Sequence, residues 1–151
     1  MMLLRSGYIQ ALIEHEECIG QFYALFAQKF PVHSDFWGHF EREEKAHAEV
    51  LRQLNRRIQS LATAGPFQLK QVREAIEWIR AQMENLQARG LSEKQAFKLA
   101  LKVEYSLIER EFFAIFPEDG DDTRHEFEAL RTHTIQHIAR LKQAAQSAAP
   151  Q

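Results

Sequence analysis

The chain has 151 residues, of which 45% are hydrophobic and 26% charged, a composition typical of one globular domain with a sizeable core. A net charge of −2 without a basic cluster argues against nucleic acid or an anionic membrane as partner. The single cysteine, Cys18, excludes internal disulfides and CxxC-based metal sites, and the lack of a signal-like N-terminus or a long apolar run predicts a cytoplasmic protein.

Apolar residues that recur every three or four positions predict five helices, because this spacing places them on one helix face. Proline and glycine are scarce and fall between the segments, which favours an all-α fold. The expected helices are approximately 7–30, 34–62, 68–89, 93–116 and 123–144, and Ser92 is the expected N-cap of the fourth. The polar stretch 143–151 is predicted to be a flexible tail, so that 1–142 forms a single helical domain.

The second predicted helix carries ionisable side chains where its apolar face should continue. The stripe that begins at Trp37 and Phe40 passes through Glu44 and His47. Burying an unpaired ionisable group costs several kcal/mol or forces it to become neutral. We therefore expect a compensating partner for this pair, and a metal ion is the first candidate.

The two halves of the chain repeat this pattern. Glu16 and Glu104 each lie on the apolar face of a helix that ends in Phe-Pro, and each is followed by a helix with a core histidine, His47 or His137. The separations are similar, 47 − 16 = 31 and 137 − 104 = 33 residues. Two helix pairs of matching layout with a long connection suggest a four-helix bundle with a crossover, which is here predicted to be helical itself.

Three motifs are more specific than the bare repeat: Tyr23 follows Glu16 by seven residues, Phe40 precedes Glu44-Lys45-Ala46-His47 by four, and Glu104 ends the run Ala100-Leu101-Lys102-Val103-Glu104. Together they resemble the rubrerythrin-type di-iron domain of the ferritin-like superfamily, over about residues 8 to 142. This resemblance implies a ferritin-like four-helix bundle with a long, partly helical crossover between its second and third helices.

The resemblance also implies a metal site in the bundle core. Its expected ligands are five side chains: Glu16, Glu44, His47, Glu104 and His137. Glu44 is expected to bridge, the other two glutamates to be terminal or bridging, and the histidines to bind through their imidazoles. This ligand chemistry suits one or two iron ions, with manganese or zinc as alternatives. Tyr23 is expected to donate a hydrogen bond to a ligand carboxylate.

One position departs from the family pattern. The last motif should read Glu-x-x-His, but Thr134 stands three residues before His137, so the site is one carboxylate short. His133 could substitute as a ligand if its ring points inward, and a surface position is the other interpretation. The chain also lacks the rubredoxin-like cysteine module, so that redox activity would need an external electron donor.

Two functions stay open at this point. The resemblance implies an iron-dependent oxidoreductase that acts on peroxide, or on ferrous iron and dioxygen. The alternative is a redox-inactive helical binding or interaction module, in which the same residues form a degenerate or metal-free polar network. The change at Thr134 is what keeps this alternative open.

Several further side chains are assigned by their position on the predicted helices. Glu111 is expected to support a ligand or lie at an interface. Surface or loop positions are expected for four histidines: His15, His33, His39 and His125. A surplus of rings beyond one helix face predicts a homodimer or higher homo-oligomer, and it consists of Phe22, Phe26, Phe112 and Phe113.

Overall fold

The computed structural model describes residues 2–57, 65–113 and 120–148, and within these ranges the chain is helical without any strand. Its elements are α1 (Met2–Lys29), a 3-10 helix (Pro31–His33), α2 (Ser34–Arg57), α3 (Pro66–Arg89), α4 (Glu93–Glu109) and α5 (Asp121–Ala148). The predicted all-α class is confirmed. None of the described helices combines the length and apolarity needed to cross a lipid bilayer.

All five α-helices contribute to one apolar core, α3 through Val72, Ala75, Ile76, Ile79 and Leu86. The consecutive helices α1 and α2 are neighbours, and so are α4 and α5. Between α2 and α5, Glu43 contacts Arg140, whereas Arg57 lies 3.9 Å from Glu126, so these two helices are antiparallel. The hydroxyl of Tyr23 on α1 reaches Glu104 on α4, which connects the remaining pair of helices.

Helix α3 lies on the outside of α1 and α4. Leu69 is beside Gly7, and further along both helices the Cys18 thiol approaches the Ile76 carbonyl oxygen, so α1 and α3 run in the same direction. On the other side, Nη1 of Arg110 donates to the carbonyl oxygen of Gln71 at 3.1 Å. The third predicted helix is therefore present, and it begins at Pro66.

The core contains more aromatic rings than one helix face could cover. Phe22, Phe26, Phe112 and Phe113 are each at most 2% exposed within the single chain. These rings exceed one helix face as predicted, but they are buried within the single chain, because α1 is enclosed by neighbours on several sides. The aromatic rings therefore no longer argue for a homo-oligomer, which stays a prediction.

The N-terminal end of α4 agrees with its prediction, and the C-terminal end does not. Ser92 is the N-cap as predicted: Gln95 N donates to its hydroxyl, and Ser92 N donates to the Gln95 side chain. The predicted continuation to residue 116 is wrong, because α4 ends at Glu109. Glu111 adopts a left-handed conformation with φ of 53°, and it lies exposed at this turn.

The hydrogen bonds after α4 explain this stop. Glu111 N donates to the Ile108 carbonyl oxygen at 3.1 Å, and Phe112 N donates to that of Leu107 at 3.3 Å. This pair of bonds is the Schellman arrangement, in which one left-handed residue closes the helix and satisfies its last carbonyl groups.

The terminal helices are longer than predicted. α1 already begins at Met2, and α5 continues to Ala148, so that the stretch 143–148 is helical. Ala144 and Ala145 pack against the core, which extends the apolar face of α5 past the predicted domain boundary at residue 142. The predicted end of α2 near residue 62 and the last three residues lie outside the described ranges.

Candidate metal centre

Four helices bring ionisable side chains to one buried place in the core. These side chains are at most 4% exposed and comprise Glu16 on α1, Glu44 and His47 on α2, Glu104 on α4, and His137 on α5. All five were singled out by the sequence, because each occupies an apolar stripe of its helix. The structure brings them together.

The five side chains form two groups that share one member. The first group is Glu16, Glu44 and His47, and the second is Glu44, Glu104 and His137. In each group, one ligand-type atom from every residue lies within 4.8 Å of the others. Groups of buried carboxylates and imidazoles at such distances could hold a metal ion.

The shared residue is oriented between the two groups. Oε2 of Glu44 lies 3.3 Å from Nδ1 of His47, whereas Oε1 lies 3.2 Å from Nδ1 of His137. A carboxylate in this orientation offers one oxygen to each of two adjacent positions. The arrangement is suited to a bridging ligand.

Both imidazoles present Nδ1 to the carboxylates and Nε2 to a partner further out. Nε2 of His137 donates to Oε1 of Glu43 at 3.1 Å, and Nε2 of His47 lies 3.1 Å from Nδ1 of His133. Outer partners of this kind hold the orientation and tautomer of a ligand histidine. His133, the possible substitute ligand, thus lies outside both groups and is exposed.

Glu43 was missed by the sequence analysis. It lies directly before Glu44, off the apolar stripe, and the contact with His137 spans 94 residues. Its carboxylate also contacts Nε2 of His39 at 2.7 Å and Nη1 of Arg140 at 3.3 Å. Only the packing of α2 against α5 could have identified this role.

Two carboxylates of the cluster have buried oxygens that accept no hydrogen bond. Both oxygens of Glu16 and Oε2 of Glu104 are buried without a hydrogen-bond partner, whereas Oε1 of Glu104 accepts a hydrogen bond from Tyr23 at 2.8 Å. Buried carboxylate oxygens that lack donors need a proton or a cation. Oxygen and imidazole donors suit iron, manganese and zinc, so the residues fit the ion that the resemblance implies.

Burial and mutual charge set the protonation of these groups. Burial, with the adjacent Glu44 carboxylate, raises the pKa of Glu16 to about 8. Burial opposes the charged form of His47 and His137, but the adjoining carboxylates outweigh it and raise their pKa values to about 11 and about 10. Burial likewise disfavours ionised Glu44, yet its hydrogen bonds within the cluster leave its pKa lowered.

Thr134 occupies the position where the family pattern has a fourth glutamate. It is 1% exposed, and its hydroxyl donates to the Leu130 carbonyl oxygen of its own helix at 2.9 Å. The hydroxyl is therefore satisfied by the backbone. The cluster has one carboxylate that is shared between both groups, Glu44, and α5 contributes no carboxylate to either group.

His15 was predicted at the surface, and this prediction is wrong. The ring is 1% exposed and meets the edge of Phe112 at a centroid distance of 5.4 Å. Burial lowers the pKa of this imidazole to about 4. His33 and His125 are exposed as predicted, whereas His39 is half-buried.

Comparisons of the chain with protein-family models, curated proteins and solved structures found no match. The interpretation of the cluster therefore depends on its own geometry and on the motifs in the sequence. The structure shows a helical protein with buried glutamate and histidine groups that could bind metal.

Proposed function

We propose that the chain is a rubrerythrin-like metalloprotein that binds iron in its core and acts on peroxide, or on ferrous iron and dioxygen. The observation that carries this proposal is the orientation of Glu44. Its two oxygens face His47 and His137 separately, at 3.3 and 3.2 Å. If Glu44 only formed a buried ion pair with one histidine, a single contact to that histidine would be enough.

The proposal includes the ferritin-like arrangement. Helices α1, α2, α4 and α5 are the four bundle helices, and α3 is the crossover between the second and third of them. The antiparallel packing of α2 on α5 and the position of α3 outside α1 and α4 support this assignment. So does the origin of the clustered side chains, which come from all four bundle helices and none from α3.

The residues of the chain have separable roles in this proposal. Bound iron, as one ion or two, would supply the electron-transfer chemistry for peroxide or dioxygen. Glu44 would be shared between the two groups of ligands, and His47 and His137 would each bind metal through the imidazole. Tyr23 orients the Glu104 carboxylate through its 2.8 Å hydrogen bond, and Phe40 packs 4.9 Å from the ring of His137, where it limits access of water. Electrons come from an external donor.

Metal content is the direct test of this proposal. The protein should be produced under iron supply and analysed by inductively coupled plasma mass spectrometry. We expect stoichiometric iron in the unaltered chain and loss of most of it in His47→Ala, because that change removes the only imidazole of the first group. The matched control is His125→Ala, an exposed histidine outside both groups, which should retain the metal.

Two outcomes would contradict the proposal. One is an unaltered, folded chain without stoichiometric metal. The other is equal metal loss in His47→Ala and His125→Ala, which would place the metal elsewhere. Circular dichroism of each variant separates loss of ligands from loss of fold.

A specific observation supports the alternative of a redox-inactive module. His137 Nδ1 already lies 3.1 Å from Glu104 and 3.2 Å from Glu44, so the charged groups can neutralise one another. The two proposals differ in their ultraviolet-visible spectra after anaerobic iron loading and exposure to air or peroxide. A ferric oxo-bridged absorption band supports the oxidoreductase, and its absence from a folded chain supports the module.

A further inference from the structure

The strongest feature outside the metal centre is a cavity between α1, α3 and α4. Its volume is about 210 Å³. An engineered cavity of about 150 Å³ is large enough to take up benzene, so this one has room for a single ring with a substituent. Its polar and aromatic lining includes His15, Trp78, Lys102, Ser106, Glu109 and Arg110.

His15 provides an unsatisfied polar group in this lining. The side chain is 1% exposed, and its Nδ1 has no hydrogen-bond partner. Buried polar atoms in folded proteins are nearly always paired, so each exception needs an explanation. Nδ1 is itself inaccessible, so a ligand in the cavity that His15 lines would pair with it only after the ring rotates toward the cavity.

The charges around the cavity favour an anion. Lys102 and Arg110 contribute two positive charges, against one negative charge from Glu109. Arg110 uses Nη1 to hold the Gln71 carbonyl oxygen at 3.1 Å, and its guanidinium has further N–H groups to offer. Cationic side chains form the strongest hydrogen bonds to carboxylates.

The rest of the lining favours a ring. Nζ of Lys102 lies 5.3 Å from the centroid of the Trp78 indole, which places an aromatic face next to a positive charge. Ala75, Ile79 and Val103 add apolar surface. A flat molecule with one charged end would match both parts of this lining.

We propose that this cavity is a binding site for a small aromatic carboxylate. The carboxylate would lie toward Lys102 and Arg110, and the ring would pack on Trp78. The site backs onto two of the three helices that carry cluster glutamates, since His15 precedes Glu16 and Lys102 lies two residues before Glu104. The inference does not depend on metal binding and goes beyond the proposed function.

Benzoate is the probe, and nuclear magnetic resonance is the readout. The labelled full chain should be produced with zinc instead of iron, because paramagnetic iron would broaden the signals. We expect saturable shifts of the Trp78 indole N–H, whereas Trp37, which is buried and donates to Glu93, should not move. Benzamide, which has the same ring without the charge, should bind more weakly.

Variants identify the residues that bind the probe. We expect Lys102→Gln to weaken benzoate binding by about tenfold, as loss of a charge-assisted hydrogen bond would. Lys98→Gln, an exposed lysine on the same helix outside the cavity, is the matched control and should bind normally. His15→Phe keeps a ring against Phe112 but removes the unpaired nitrogen, and it should also weaken binding.

Several results would overturn the proposal. They are the absence of saturable binding to the unaltered chain, movement of Trp37 in place of Trp78, and equal affinity for benzamide and benzoate. Equal weakening by Lys98→Gln and Lys102→Gln, or full binding by a folded His15→Phe, would overturn it as well. None of these results bears on the metal content of the protein, so the two proposals fail separately.

Discussion

Thr134 makes the two halves of the cluster unequal. On α2, Glu44 and His47 stand three residues apart and both point into the core, whereas on α5 the corresponding pair is Thr134 and His137. The threonine hydroxyl donates to its own helix at 2.9 Å, and as a neutral group it brings no negative charge to an ion. The position shared by Glu44, Glu104 and His137 should therefore be the less complete of the two.

Thr134→Glu should strengthen metal binding at this second position. The added carboxylate would stand three residues before His137, and we expect the affinity for zinc to rise by about tenfold. Titration calorimetry of the metal-free protein measures this change. Thr132→Glu, which adds the same charge at an exposed position of α5, is the control. Identical isotherms for the two folded variants would contradict the expectation.

The residues of the cluster could be predicted because buried charge breaks an apolar stripe. Glu16, Glu44 and Glu104 are conspicuous for this reason in the sequence alone. His15 could not be placed in the same way, since its burial depends on α3 and on Phe112, both distant in sequence. Glu43 required the contact between α2 and α5.

The end of α4 depends on a single backbone conformation. Glu111 has φ of 53°, in the left-handed region that is costly for residues other than glycine. Ser92 could be predicted at the other end, because a serine before a helix is a recognisable cap. The C-terminal end was missed since the left-handed residue is a glutamate, and a glutamate does not mark such a position in a sequence.

Glu111→Gly should stabilise the protein. Glycine adopts this φ without a Cβ penalty, and the Glu111 side chain is exposed, so we expect a gain of about 0.5–1 kcal/mol in the free energy of unfolding. Urea denaturation measures it. Glu109→Gly, two residues earlier in the last turn of α4, should instead cost about 1 kcal/mol. Destabilisation of similar size in both variants would contradict this account.

For the molecule as a whole, the cluster links stability to proton binding. In the folded metal-free chain, the pKa of Glu16 is raised from 4.5 to about 8, and those of His47 and His137 from 6.5 to about 11 and about 10. All three shifts have the same sign. The lowered pKa values of Glu44, His15 and His133 act in the opposite direction below about pH 6.5. Above that pH the three raised groups dominate, so the folded chain binds more protons than the unfolded chain and its stability falls as the pH rises.

We expect the metal-free protein to be less stable at about pH 9 than at about pH 6. Glu16 contributes to the decline as the pH rises from 4.5 through about 8, and the histidines contribute from 6.5 through about 10 to 11. Chemical denaturation at both pH values tests this. Excess zinc should reduce the decline, because a metal ion replaces the protons and binds better at higher pH. Stability that is constant or increases over this range would count against these protonation states.

The helical class and the convergence of five side chains could both be predicted, because periodicity and repeated spacing are properties of the sequence. The outer position of α3 could not, since its apolar face is compatible with several neighbours. The aromatic rings illustrate the same limit. Phe22 and Phe112 appeared to exceed one face, and only the enclosure of α1 by other helices shows where they are buried.

The division of the cluster between two helix pairs has a kinetic consequence. Each pair joins neighbouring segments of the chain, α1 with α2 and α4 with α5, and such local contacts form fast. The cluster is complete only when the pairs meet, across separations such as the 94 residues between Glu43 and His137. We expect an ion held there to engage late in folding, since all four helices must first come together. It would lengthen the lifetime of the folded chain and leave the rate of its formation nearly unchanged.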